Sequence, residues 1–275
     1  MIKVVLADLD DFIIKETEER VHGPAWDHML RPYGYYFYLN GNEKLRPVPE
    51  DKRPGLGMRP PDVTRHFVNE LNLSGQGIDW RTLEQQRRGF VYQRIKDPSV
   101  RIELNDGGMN FLQGMRESGL VFGIVTSGTF DYAGAALKRL GILQEVAVLV
   151  NGGSTVRGKP HEDPWEFAVY QLEKRRPDLK YVSRDQIVGM GDSGRDIAGI
   201  KKAGMFAIGL ENPHTSREKH FALGADLVVA RLDEIDPRPG GTFYQEPFIS
   251  LSSPEQKTGF LPGEQSSSIF HGKEG

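Results

Sequence analysis

Four short polar clusters in this sequence carry side chains suited to handling phosphate. They are Asp8-Leu9-Asp10-Asp11, Thr126-Ser127-Gly128, Gly158-Lys159-Pro160 and Gly191-Asp192-Ser193-Gly194-Arg195-Asp196. Asp8 and Asp10 stand two apart where a short apolar run ends, so both carboxylates can converge as the chain leaves a strand. Close carboxylates repel unless a cation lies between them or one keeps its proton. Asp192 and Asp196 pose the same problem from a distant part of the chain. Gathered in one crevice, these acids make most sense around a hard divalent ion. Mg2+ suits them, since it is commonly held by one or two carboxylates with substrate phosphate and water. Thr126 and Ser127 add hydroxyls, the amides of a following helix add donors for an anion, and Lys159 adds a positive charge. An acid nucleophile, a metal and several phosphate donors are equipment for phosphoryl transfer, which depends on positioning and charge stabilisation.

The elements that must position these groups show in the hydrophobic pattern. Apolar runs occur at Val4–Ala7, Val121–Val125, Val146–Val150, Ile187–Met190, Phe206–Leu210 and Leu227–Ala230. Runs this short, rich in Val and Ile, predict parallel strands covered on both faces. Amphipathic stretches separate them at Met109–Glu117, Tyr132–Leu140, Trp165–Leu172, Ile197–Ala203 and Arg217–Leu223. The alternation predicts an α/β fold with a doubly wound, Rossmann-like parallel sheet. In such a sheet the ligand crevice lies at the carboxyl ends of the strands, where all four clusters stand.

From about residue 14 to 100 the alternation stops. Val21, Ala25 and Met29 recur at helical spacing, as do Val63, Phe67 and Leu71, and Trp80–Ile95 forms a further helix that Asp79 can cap. Pro32 to Pro61 reads as a long irregular connection. The expected organisation is a catalytic core of 1–14 and 101–236, an inserted helical cap of 15–100, and a tail of 237–275 outside the core.

Composition narrows the function. The 275 residues hold 35 Lys+Arg against 38 Asp+Glu, net −3, with 38% hydrophobic residues and no Cys. Such a chain can bury a core, so disorder is excluded, and the slight acidity argues against nucleic-acid binding. Without Cys there is no disulfide scaffold, Cys-ligated zinc or thiol nucleophile. No apolar run approaches the roughly 18 residues of a membrane span, and the N-terminal run is too short for a signal peptide. The expectation is a soluble, cytoplasmic protein acting on a small phosphorylated metabolite.

The ordered set of clusters resembles the haloacid dehalogenase superfamily, in its phosphatase and phosphomutase branch. Asp8-Leu9-Asp10-Asp11-Phe12 is similar to that family's first motif, although Phe12 stands where Thr or a smaller aliphatic is usual and Asp11 where Gly is common. Gly123-Ile124-Val125-Thr126, Gly158-Lys159-Pro160 and Gly191–Ile197 resemble the other three. The resemblance implies that Asp8 attacks phosphorus and becomes an aspartyl-phosphate. Asp10 would protonate the leaving oxygen and then activate water, which calls for a raised pKa. Thr126, Ser127 and Lys159 would bind the phosphoryl group. Asp8, Asp10 (through its carbonyl), Asp192 and Asp196 would hold Mg2+. Glu16–His22, followed by Ala25-Trp26, resembles the first cap helix of the β-phosphoglucomutase-like subgroup. The interval from Asp10 to His22 is about two residues longer here, so His22 receives no mutase role.

Plainer readings stand beside these. Thr126-Ser127 can cap a helix, and His22, His28 and His66 read as packing or surface residues. Arg59 and Arg65 either reach a substrate anion or are solvated. Gly189-Met190-Gly191-Asp192-Ser193-Gly194 also matches a dinucleotide fingerprint, but Asp192 would oppose a pyrophosphate there. The reading reached is a Mg2+-dependent phosphatase of a small phosphate monoester. The alternatives are a sugar phosphomutase and a non-catalytic phosphate-binding or regulatory protein on the same scaffold.

Overall fold

Strand β1 (Val4–Ala7) is buried on both faces, and its side chains alternate between two hydrophobic clusters. Val5 and Ala7 join Phe111, Phe122, Tyr132 and Ile208 on one side, while Val4 and Leu6 join Trp165, Leu172, Ile197 and Ile200 on the other. A strand covered twice has no polar face to show, which is why these runs are continuously apolar. The computed structural model describes residues 1–37, 45–54, 57–245 and 248.

Two short parallel strands, β2 (Tyr35–Tyr36) and β3 (Arg46–Pro47), pair with each other within the inserted segment. The main sheet continues with β4 (Val121–Val125), β5 (Val146–Val150), β6 (Ile187–Gly191), β7 (Phe206–Leu210) and β8 (Leu227–Val229). Its order is β5-β4-β1-β6-β7-β8 with every pair parallel. The chain thus winds outward from β1 to one edge, returns to the centre, and winds to the other. The reversal falls between β1 and β6, the place where a doubly wound sheet opens a crevice. Ala7 pairs with Met190, which sets Asp8 beside Gly191 and one residue short of Asp192.

The inserted segment contributes α1 (Gly23–Leu30), α2 (Pro60–Glu70) and α3 (Trp80–Lys96). Asp79 caps α3 as expected, accepting the Thr82 amide at 3.2 Å. Pro60 and Pro61 start α2 instead of ending a loop, a position where a missing amide hydrogen costs nothing. Trp26, Met29, Leu30, Val63, Phe67, Leu71 and Leu83 form a hydrophobic cluster of their own. Part of the expected irregular connection, 38–44 and 55–56, lies outside the described residues.

Helices α4 (Gly108–Ser118), α5 (Phe130–Arg139), α6 (Asp163–Arg175), α7 (Gly194–Lys202) and α8 (Arg217–Ala222) flank the sheet. No helix among the described residues is long and apolar enough to cross a membrane.

The segment after Pro237, expected to lie outside the core, enters it. Phe243 and Phe248 are buried, and the Phe248 ring lies 4.9 Å from Phe206 of β7. Isolated aromatics without a periodic neighbour give no sequence pattern, so composition alone hid this packing. The tail's serine-rich stretch, from 251 onward, lies outside the described residues. Replacing Phe243 by Ala should cost about 3–5 kcal/mol of stability, read as a lowered denaturation midpoint; a change under about 1 kcal/mol would mean the segment is not part of the core.

Candidate active site

Asp8 follows β1 directly, and its amide donates to the Met190 carbonyl at 2.9 Å. Asp192 follows β6. Asp196 lies in the first turn of α7, where one of its oxygens, Oδ2, accepts from the Ser193 amide (3.2 Å) and hydroxyl (2.5 Å). A Cβ on Gly191 would fall 2.3 Å from the Asp196 Cβ, and one on Gly189 would meet Ile200. Close packing of α7 on β6 therefore accounts for the glycine spacing that also matches a dinucleotide fingerprint. One carboxylate oxygen each from Asp8, Asp192 and Asp196 lies within 4.8 Å of the others.

Lys159 answers part of this charge. Its buried ammonium lies 2.7 Å from Asp8 Oδ1 and 2.5 Å from Asp196 Oδ1, with the Trp165 ring centroid at 5.2 Å. Three carboxylates against one ammonium leave an excess of negative charge away from water. Burial pushes the Asp8 carboxyl up to about 8, with Asp196 and Asp10 adding to the effect and Lys159 opposing it. Burial likewise holds Asp192 well above the usual carboxylate range, reinforced by Asp196, Asp8 and Asp11. Lys159 behaves oppositely: burial disfavours its charge, but Asp196 and Asp8 outweigh that and raise its pKa. A cluster of hard oxygen donors with surplus negative charge fits a divalent cation.

Asn212 escaped the sequence reading. Its Nδ2 donates to both the carbonyl and Oδ2 of Asp192 (3.0 Å each), while its Oδ1 accepts the amides of His214 and Thr215 (2.8 Å each). The amide is fully used and fixes the direction of Asp192. A single Asn after a strand carries no motif by which sequence could have found it.

The Asp10 carboxylate turns away from the other three. It accepts from the Tyr132 hydroxyl and from Thr126 Oγ1 at 3.4 Å, and His22 Nε2 lies 3.2 Å from its Oδ1. Burial alone would push Asp10 up, but the His22 charge and hydrogen bond, with the hydrogen bonds of Tyr132 and Thr17, leave it below the usual range. The raised value expected from sequence is thus reversed in this arrangement. Burial works against a charged His22, yet Asp10 more than compensates and its pKa rises. His22, expected to pack or face solvent, therefore belongs to the site. The turn of Glu18–His22 is widened to i→i+5, the Gly23 amide reaching the Glu18 carbonyl, and this takes up part of the extra sequence length before His22.

Other expected residues fall elsewhere. Thr126 caps no helix; its Oγ1 accepts the Gly128 amide at 2.9 Å, and Thr129 begins α5. The Ser127 hydroxyl donates to the Gly57 carbonyl of the inserted segment at 2.9 Å. Arg59 neither reaches the acids nor faces solvent freely: it donates to the carbonyls of Thr155 and Val156 at 3.2 and 2.9 Å. Arg65 pairs with Asp62 at 2.8 Å and covers the Trp80 ring. Phe12 is fully buried in the sheet's core. Asp11 adopts φ 55°, the left-handed region where Gly is at ease, and its Oδ1 accepts the Thr17 amide at 2.6 Å.

The inserted segment closes over these groups to leave a cleft of about 420 Å3, lined by Asp8, Asp10 and Asp192 on one side and by Glu18, His22 and Arg87 among others on the opposite side. Arg87 is buried on the Trp26 ring, 3.9 Å from its centroid, with Nη2 3.3 Å from His22 Nδ1.

A family model described as haloacid dehalogenase-like hydrolase matches residues 62–210. The chain is 28% identical over 238 residues to validoxylamine A 7'-phosphate phosphatase of Streptomyces hygroscopicus subsp. limoneus, covering 86% of this chain and 96% of that one. It is 25% identical over 237 residues to β-phosphoglucomutase of Bacillus subtilis (strain 168), covering 85% and 91%. Among solved structures, CbbY from Rhodobacter sphaeroides in complex with phosphate is similar with a TM-score of 0.67 and 18% identity, covering 85% of this chain and 96% of that one. At that identity the likeness shows a shared fold.

The Asp8 shift makes a signed prediction. An unfolded Asp ionises near 3.9, whereas folded Asp8 keeps its proton up to about 8. Between those values the folded state binds more protons, so the metal-free protein loses stability as pH rises. A divalent cation needs the deprotonated site, so the Tm gain it brings should be larger at about pH 8 than at about pH 6. A gain that is flat or shrinks with pH would remove the acid cluster as the binding site.

Proposed function

This chain belongs to the haloacid dehalogenase-like hydrolases, and on that footing we propose that it is a Mg2+-dependent phosphatase that hydrolyses a small phosphate monoester through an aspartyl-phosphate at Asp8. The observation that carries this reading is the grouping of Asp8 with Asp192 and Asp196 around the Lys159 ammonium. Residues 1–14 and 101–236 form the catalytic core in this reading, and 15–100 the cap.

Each residue has work that its surroundings support. Lys159 holds one Asp8 oxygen, which leaves the other to attack phosphorus, and its charge offsets that gathered on the phosphoryl oxygens. Thr126 and Ser127, at the end of β4, bind those oxygens in this reading, their hydroxyls turning from Asp10 and the Gly57 carbonyl to do so. Asp8, Asp192, Asp196 and the Asp10 carbonyl would hold Mg2+, with Asn212 keeping Asp192 aimed. When bound, the ion screens the carboxylates from one another and from the incoming phosphate.

The leaving oxygen needs a proton. The Asp10–His22 pair holds one, resting on the imidazole, and Asp10 passes it on and later takes one from the attacking water. The pair titrates as a unit, so the low Asp10 value alone does not forbid the step. The closed cap limits the entry of bulk water.

The relative named β-phosphoglucomutase supports a second reading, in which the phosphoryl group passes to a sugar hydroxyl. The relative named validoxylamine A 7'-phosphate phosphatase supports the first. A panel of phosphate monoesters assayed with and without Mg2+ separates them: free phosphate marks a hydrolase and an isomerised sugar phosphate a mutase. Asp8→Asn should lower kcat by at least about 10³-fold. Equal silence of wild type and variant across the panel would leave a phosphate-binding protein instead.

A further inference from the structure

With the phosphoryl group at Asp8, the alcohol half of the substrate lies against the cap wall of the cleft. Arg87 and Lys15 are the described cations that line the cleft from that wall, and both face protein groups. Arg87 lies on Trp26, between His22 and Glu84 at 3.8 Å, and its Nε, which has no hydrogen-bond partner, is buried. Lys15, at the hinge side, pairs with Asp106 at 2.9 Å.

Two carboxylates of the same wall differ. Glu18 and Glu19 both line the cleft, and among the described residues neither side chain has a hydrogen bond or ion pair. Glu18 shares its widened turn with His22, which places it next to the Asp10–His22 pair that serves the leaving oxygen. Burial pushes its carboxyl up to about 6 despite the nearby charges of His22 and Arg87, so at neutral pH it is an ionised acceptor with no donor. Glu18 is half-buried and Glu19 exposed, so both carboxylates are open to a donor that the substrate brings.

We infer that Glu18, supported by Glu19, selects the alcohol half of the substrate by charge: it favours a polyol carrying an ammonium group and rejects one carrying a carboxylate or second phosphate. This inference rests on the phosphatase reading and narrows it. A mutase that passed the Asp8 phosphoryl group to a sugar phosphate would have to hold a bisphosphate against this wall, which falls in the rejected class.

The test compares kcat/KM for glucosamine, glucose and gluconic acid, each phosphorylated at the terminal carbon, with an aryl phosphate to establish turnover. The three share a carbon chain and differ in charge. Values should fall in that order, with about tenfold or more between amine and acid. Glu18→Gln should compress the ratio to within about threefold. Because the ratio is taken within one preparation, it does not depend on how much of the variant is folded. An equal or reversed order, an unchanged ratio in Glu18→Gln, or loss of all its turnover would overturn the inference. No release from the aryl phosphate or any sugar phosphate would instead remove the phosphatase reading, and this one with it.

Discussion

The Lys159 ammonium, held between Asp8 and Asp196, is the contact on which the site depends. Like charges about 4 Å apart repel by roughly 4 kcal/mol at an effective dielectric near 20, so three gathered carboxylates require a fixed counter-charge. The lysine arrives from the connection between β5 and α6, far from both partners in sequence. Everything else arranges the meeting. The reversal of strand order puts Asp8 and Asp192 on neighbouring strands, the Ser193 cap turns one Asp196 oxygen into the loop and frees the other for Lys159, and Asn212 aims Asp192. One ammonium is enough to assemble the acids but not to neutralise them, and that remaining imbalance attracts a cation.

What sequence could reveal followed from burial geometry. Strands covered on both faces must be runs of Val, Ile and Leu, so the six main strands were legible almost to the residue; only β6 and β8 differ, by one residue each. The acids at strand ends were legible because topology, once guessed, fixes which ends are neighbours. The partners supplied by tertiary contact were not. Nothing local to Ser127 foretells that its hydroxyl meets the Gly57 carbonyl, or that Arg59 reaches Thr155 and Val156. His22 was hidden by a widened turn, since positions counted along a regular helix miss a residue displaced by one extra peptide. Phe243 and Phe248 were hidden because two aromatics in a polar, glycine-rich stretch make no period.

The contacts between the inserted segment and the sheet domain converge on the loops of the candidate site. Ser127 borders the proposed phosphate site, Thr155 and Val156 precede Lys159, and Gly57 lies against Ser193 and Arg195 so closely that a Cβ there would come within 2.9 Å of the Ser193 hydroxyl. Arg88 adds a pair with Asp131 at the start of α5. If the inserted segment acts as the proposed cap, closing it and ordering the site are one event in terms of contacts.

The register of β1 also constrains how the polypeptide reaches this state. Val4 pairs with Val121 on one side and with Ile187 on the other. β1 is thus synthesised more than a hundred residues ahead of either neighbour. Over that interval the helices of the inserted segment can fold on their own cluster, while an uncovered apolar strand remains exposed. High contact order of this kind slows folding, and the uncovered β1 stays exposed to aggregation until β4 is made.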